Sequence, residues 1–420
     1  MSKKQKIYPW VVDVSMGLLT AVVVDTFLTL MGYFLLPLVK SMHVSLSVVS
    51  LFYSAVVIAM AATFPIAGRL VTKVKLNVLT VGSVIIAAAS AFVLSKITNL
   101  ALFFIMAILV GICSGFAGLV VQGIVINNWF EKKKNLAFSI ASWVDTLYVF
   151  IMTPIVSILI NKVSWQTGFY CLALAILIVG LPSALLAKFK PEDIGLLPYG
   201  AKSESEVKEI KKENTEKNEG PHFTTKQIVL SGTFVVCFFF AICIQITSNM
   251  NQLFPTFAEE YKLGLFAVTA MPMALRLADL VLTPAFGWSC DKFGARKAIP
   301  FWIVIAICSL IILGLAATIK SPILAVIGAG LSDTFTMFLG SGQEIFAREQ
   351  FGKAFNQAFS LITSITYIIG AFAIPLLSWI YETSGSFITV LTFCGVLGIL
   401  MIIINFISKK HVFNAEKANN

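Results

Sequence analysis

Apolar residues in this chain gather into long runs that recur from one end to the other. Crossing a bilayer takes about 20 residues at 1.5 Å of rise each. Twelve runs meet that length: 10–38, 46–70, 77–95, 99–126, 136–160, 167–188, 227–256, 264–289, 298–319, 322–346, 354–380 and 386–408. Leu, Ile, Val, Phe and Ala fill them without the alternation of a barrel strand, so the pattern predicts membrane-spanning helices. Irregular chain could not cross, because each unpaired backbone group in hydrocarbon costs several kcal/mol. The one long polar stretch is 189–226, with KSESEVKEIKKENTEKNEG at its centre. Its mixed charges and the lack of aromatics between Tyr199 and Phe223 read as a flexible, partly helical linker. The expected organisation is an N-terminal six-helix bundle over 1–188, a cytoplasmic linker over 189–226 and a C-terminal six-helix bundle over 227–420.

The basic residues fall between the runs. With the N-terminus inside, cytoplasmic segments hold 25 of the 31 Lys and Arg, and the outside holds five: Lys40, Lys96, Lys162, Lys262 and Lys320. Such a bias orients a membrane protein, so both termini are expected in the cytoplasm, in a multi-pass protein of the cell (inner or plasma) membrane. It also accounts for the net charge of +10 without nucleic acid. Composition agrees: 58% of the 420 residues are hydrophobic and 12% are charged, against about 25% charged in an ordinary soluble domain. The start, MSKKQK, leads into a run too long for a cleavable signal, which reads as a retained span.

Seven cysteines, nearly all inside apolar runs, include no CxxC pair, and His43, His222 and His411 lie in or beside polar segments. Neither a disulfide framework nor a metal site is expected, and a histidine relay within the membrane is excluded. No Ser/His/Asp set or phosphate-binding loop points to an enzyme, so no catalytic residue and no cofactor is expected. A receptor that binds without transporting is disfavoured, because no signalling domain accompanies the spans.

The two halves echo each other. Asn135-Leu-Ala-Phe-Ser139 opens the fifth run and Asn356-Gln-Ala-Phe-Ser360 the eleventh, 221 residues apart. Gly68-Arg-Leu-Val-Thr72-Lys73 follows the second run and Gly287-Trp-Ser-Cys-Asp291-Lys292 the eighth, 219 apart. Two matches at nearly one separation argue for a duplicated six-helix unit.

The second of these loops carries a family resemblance. Gly287, Asp291, Lys292, Gly294 and Arg296 sit in a stretch that resembles the G-x-x-x-D-R/K-x-G-R-R/K loop of the major facilitator superfamily. The resemblance implies a fold of twelve transmembrane helices in two pseudo-symmetric bundles, an all-α membrane protein, and a gating role for that loop. The first copy is degenerate, with Thr72 in place of the acid. Three further stretches look like one branch, the monocarboxylate and oxalate/formate transporters. Asn128-Trp129-Phe130 through Ala137 resembles its W-F-x-K-R-R-G-L-A. Lys190-Pro191 through Pro198 resembles R-P-E-x-I-G-L-x-P, and Ile374-Pro375 through Phe387 resembles its span-eleven exit.

Charge inside a bilayer is expensive and is by default functional. Asp25, Asp145, Arg276, Asp279 and Asp333 lie near the middle of their runs, whereas Asp13 is close to the cytoplasmic end of the first and reads as solvated. Runs three, six, nine and twelve have no interior charge; in the superfamily those four helices face lipid and the other eight surround the cavity. Arg276 is the sole mid-run cation, and its planar fork of donors suits a carboxylate. Asp279 follows on the same helix face. Its stretch, Asp279 to Gly287, looks like the D-x-x-x-R-P-x-x-G of monocarboxylate transporters, with Thr283 where the arginine belongs. Arg276, two turns earlier, could serve at a depth shifted by about 10 Å. The eleventh run has no lysine for a second carboxylate, which disfavours a dianion such as oxalate.

Burial disfavours the charged form of a carboxylate, so Asp25, Asp145, Asp279 and Asp333 are candidates for proton coupling. Tyr33, Gln122, Tyr148, Gln245, Asn249 and Tyr367 join Arg276 as candidate substrate contacts, although such residues also bond helices to one another. Gly111, Gly115 and Gly118 read as packing positions. The expected function is secondary transport of small organic carboxylates by alternating access, as proton symport or anion exchange. The expected partners are an organic anion, protons and the lipid bilayer, and the protein is expected to be a monomer. The surplus of acids also suits an alternative, proton-coupled efflux of cationic or amphipathic compounds.

Overall fold

The computed structural model describes residues 3–71, 73–201 and 225–408. Thr72, His222, His411 and the linker centre at 202–224 lie outside the described residues. Twelve helical stretches are long and apolar enough to span a membrane: Gln5–Met42, Leu46–Leu70, Leu76–Leu94, Leu100–Trp129, Leu136–Lys162, Trp165–Leu186, Gly232–Glu260, Gly264–Phe293, Ala295–Ile319, Pro322–Phe351, Gln357–Ser384 and Phe387–Ile407. They are spans one to twelve below, and each falls on one of the twelve apolar runs. Among the described residues the sole β pairing is an isolated bridge between Phe130 and Tyr199.

Span one corrects one expectation. Its helix begins at Lys3, so Asp13 stands almost three turns inside it. The Asp13 side chain is buried, and neither carboxylate oxygen has a hydrogen-bond partner. The polar start of the chain, instead of ending in water at the membrane edge, continues the helix along spans four, five and six. Aromatic rings gather at this end. Trp10 meets Phe130 at 4.9 Å and Tyr199 at 5.5 Å, and Tyr8 meets Trp129 at 5.6 Å. The chain after span six folds back here, where the Tyr199 N–H donates to Trp129 O at 2.7 Å.

The chain forms two compact units, Met1–Val44 with Phe52–Asn218, and Ser45–Leu51 with Glu219–Asn420. In the first unit, helices approach closely at small residues. A Cβ on Gly111 would lie 2.4 Å from Val56 O, and one on Gly17 would lie 2.6 Å from Ala141 O. Neither fits without moving span two or span five. Small residues at such crossings let backbones pack where lipid supplies no hydrophobic drive.

The second unit is built around aromatic rings. Phe240 stacks near Phe346 at 4.2 Å, Phe286 meets Phe338 at 5.4 Å, and Trp302 Nε1 donates to Ser289 Oγ at 2.9 Å. These contacts join spans seven to ten. The first turns of span two belong to this unit as well: the Leu46 N–H donates to the Glu382 carboxylate, and the Ser50 and Ser378 hydroxyls share a hydrogen bond of 2.8 Å. Spans eight and nine meet at Gly294, whose φ of +80° is a conformation that L side chains rarely adopt.

Several spans depart from α geometry at matching places. Span one passes through a π turn at Ala21–Asp25 and a 3-10 turn at Leu30–Phe34, and span seven has a 3-10 turn at Met250–Leu253, starting 220 residues after Leu30. Span four breaks at Gly118, and span ten enters a π turn at Phe338, again 220 residues on. Prolines repeat likewise: Pro65 and Pro284 are 219 apart, and Pro154 and Pro375 are 221 apart. The duplication read from two loops therefore extends to helix interruptions inside the spans.

Candidate functional site

In the first unit the π turn of span one sets the geometry. A π turn holds one residue more than an α turn and leaves backbone groups to be satisfied by neighbours. The Ser114 hydroxyl of span four donates to Val23 O within it at 3.3 Å. Asp25 closes the turn, and the Thr29 hydroxyl donates to its Oδ1 at 3.0 Å. Thr26 and Tyr148 of span five share a hydrogen bond of 2.9 Å between their buried hydroxyls. Asp25 and Asp145 both lie within electrostatic reach of Tyr148. Tyr33, on the 3-10 turn, is buried and hydrogen-bonded to Thr153. Immediately before the π turn, Thr20 donates to the Gln122 side chain at 2.9 Å. Thus Asp25, Asp145, Tyr148 and Tyr33 line one stretch of spans one and five, while Gln122 ties span four to span one.

In the second unit the charges converge across spans eight and ten. Asp333 is fully buried, and neither of its oxygens has a well-formed hydrogen bond. Arg276 and Asp279 stand close enough to act on it electrostatically, and Thr336, one turn on, is within its reach. Small residues bring the two spans together here, for a Cβ on Gly330 would meet Ala274 O at 3.6 Å. Asp279 is held by its own helix: Thr283 Oγ1 donates to its Oδ1 at 2.6 Å. The residue that stands where the resemblance places an arginine therefore supplies a hydrogen bond to the same acid. Span seven adds Asn251, whose amide donates to Thr336 Oγ1 at 2.7 Å. The arrangement is one guanidinium among two carboxylates, one satisfied locally and one not.

The remaining candidates lie on spans seven, eight, nine and eleven and at the joint at Gly294. Gln245 is buried against span eleven, where a Cβ on Gly370 would lie 2.5 Å from its Oε1. Asn249 donates to Gln245 O on its own helix at 2.7 Å. Tyr367 is exposed on span eleven. In the expected gating loop, Gly287, Asp291 and Lys292 are the last turns of span eight, and Gly294 is the joint. Lys292 lies over the Trp288 ring at 4.7 Å, and Arg296 pairs with Glu349 of span ten at 3.5 Å. The sequence does not single out Thr26, Thr29 or Thr336. A signal was present for two of them, because Thr29 and Thr336 each follow an acid by one helical turn, as Thr283 does.

Comparison with known proteins bears on the fold. The description of the Major Facilitator Superfamily matches residues 17–356. No curated protein matches the sequence. Among solved structures, a point mutant of the nucleoside transporter NupG is similar with a TM-score of 0.72 at 13% identity, over 96% of this chain and 99% of that one. The peptide transporter POT in complex with sulfate is similar with a TM-score of 0.69 at 13% identity, over 98% of this chain and 96% of the other. At such identities the likeness is one of fold.

Proposed function

Because the chain belongs to the major facilitator superfamily, and is a secondary transporter and not an enzyme, we propose that it carries small organic monocarboxylates by alternating access, with Arg276 binding the carboxylate and Asp333 the coupled proton. The observation that carries this reading is the Arg276 guanidinium within electrostatic reach of a buried carboxylate whose oxygens have no well-formed hydrogen bond. A protonated Asp333 no longer competes for Arg276, whose planar fork then accepts the substrate carboxylate through two parallel N–H donors. One anion and one proton move together, so charge is balanced at the site. Without the proton step, an incoming anion displaces an outgoing one at the same guanidinium, which is exchange. Asp279 keeps its place throughout by way of Thr283. The loop stretches around Trp129, Pro191 and Pro375 support the monocarboxylate branch, and the Lys and Arg bias supports cytoplasmic termini.

A second reading rests on the first unit. Two carboxylates, Asp25 and Asp145, share one neighbourhood with the Tyr148 hydroxyl, an arrangement that suits an organic cation exported against protons.

Counterflow of labelled lactate and formate into proteoliposomes tests the first reading, with Arg276→Gln as the comparison. Uptake in the parent protein and its loss in the variant are expected. No carboxylate uptake in either, together with dye efflux that disappears in Asp25→Asn, transfers the assignment to the second reading.

A further inference from the structure

A cavity of about 590 Å³ lies in the first unit at the ends of spans, where spans two and three meet the chain that leaves span six. Lys73, Lys75, Lys188 and Lys190 line it, with Val71, Val74, Leu76, Phe189 and Ile194 among its apolar walls. We propose that this pocket binds a phosphate-bearing anion, the headgroup of an acidic phospholipid.

Three independent features converge there. The first is the set of four ammonium groups. The second is the start of span three: its N-cap position is Lys75, with no side-chain cap and no acid in the first turn. The positive end of a 19-residue helix is thus left open toward the cavity. The third is a fixed frame. Asn77 Nδ2 donates to Ala184 O at 2.5 Å and Leu185 O at 3.0 Å, and its Oδ1 accepts from Lys188 Nζ at 3.2 Å. Trp129 Nε1 donates to Lys188 O at 2.8 Å and Asn128 Nδ2 to Phe189 O at 3.2 Å. The returning strand of chain is therefore pinned against spans three and four.

The cavity lining contains one acid, Asp193. Its Oδ2 accepts the Lys190 N–H at 3.3 Å, which engages it in its own turn. A topology signal needs positive charge near span ends but no shape. Here the charge is gathered around a hollow with an apolar side at the ends of two spans, which favours a lipid over a small free anion.

The test measures lipids bound to detergent-purified full-length protein, by native mass spectrometry and thermal unfolding. Phosphatidylglycerol, phosphatidylcholine and inorganic phosphate are titrated separately. The variants are Lys73→Gln/Lys75→Gln, which spares the Lys188–Asn77 link, and the charge-matched Lys132→Gln/Lys297→Gln. Phosphatidylglycerol is expected to bind and to raise the melting temperature. The pocket variant should weaken that binding about tenfold or more, and the matched variant less than about twofold. Equal binding of phosphatidylcholine, or equal weakening by both variants, overturns the proposal. Saturation by inorganic phosphate that displaces the lipid reassigns the pocket to a soluble phosphate compound and overturns the headgroup.

Discussion

Removing the guanidinium of Arg276 should destabilise the second unit, and removing the Asp333 charge as well should restore much of what was lost. Asp333 is wholly enclosed with neither oxygen hydrogen-bonded, and Asp279 adds a second negative charge nearby. With Asp333 ionised, Arg276→Gln leaves that enclosed charge uncompensated, a loss of at most about 3–5 kcal/mol, the cost when a buried pair loses one partner. Asp333→Asn on the same background replaces the charge by an amide, whose imperfect burial costs about 1–3 kcal/mol. The double variant should therefore be more stable than Arg276→Gln by about 1–2 kcal/mol, the excess of the first cost over the second. Arg276→Lys keeps the charge and loses the fork, and should fall between the parent and Arg276→Gln. Reversible unfolding in mixed micelles, followed by circular dichroism, ranks the four proteins. If Arg276→Gln and the double variant unfold together, or if Arg276→Gln matches the parent, Arg276 does not compensate Asp333 and the proposed anion site has lost its basis.

Other outcomes follow from single contacts. Asp333→Asn should abolish proton-driven accumulation of substrate while sparing counterflow. Uptake by the parent should fall as external pH rises and the coupled proton becomes scarce, whereas the variant's counterflow should stay flat across the same range. Thr283→Val removes the hydroxyl that bonds Asp279 at 2.6 Å and should cost about 1.5–3 kcal/mol in unfolding assays, as for a hydrogen bond to a charged group. Gly111→Ala forces a Cβ to within 2.4 Å of Val56 O and should cost about 1–3 kcal/mol by overpacking; an unchanged melting temperature would show that spans two and four separate freely.

The twelve spans were legible because hydrocarbon thickness imposes a length that a hydropathy pattern must meet. The interruptions inside them were not. Val22, Val23 and Val24 are good spanning residues, and nothing in their order marks a π turn. The acids stood out as charges in apolar runs, and the shared helix face of Arg276 and Asp279 followed from helical spacing. That Asp333 joins them depends on spans eight and ten crossing at Gly330, which spacing along one helix cannot reveal. Gln245 and Asn249 show another limit: polarity alone does not say that one side chain rests against Gly370 and the other bonds back to its own helix. Asp13 was misread because three lysines in the first six residues look like a solvated terminus, and the helix runs straight through them.

The π turn at Ala21–Asp25 also controls which way the rest of span one faces. Each residue advances an α-helix by about 100°, and the wider turn takes up one surplus residue, so the segment beyond it keeps its facing only while the turn stays open. Closing the turn into regular α geometry with every residue kept would rotate the part of the span that follows by about that angle. Asp25 and Thr26 would then turn from span five while every side chain in the segment kept its chemistry. Hydroxyl, carboxylate and apolar surface survive such a closure in number. Their azimuth is what it removes.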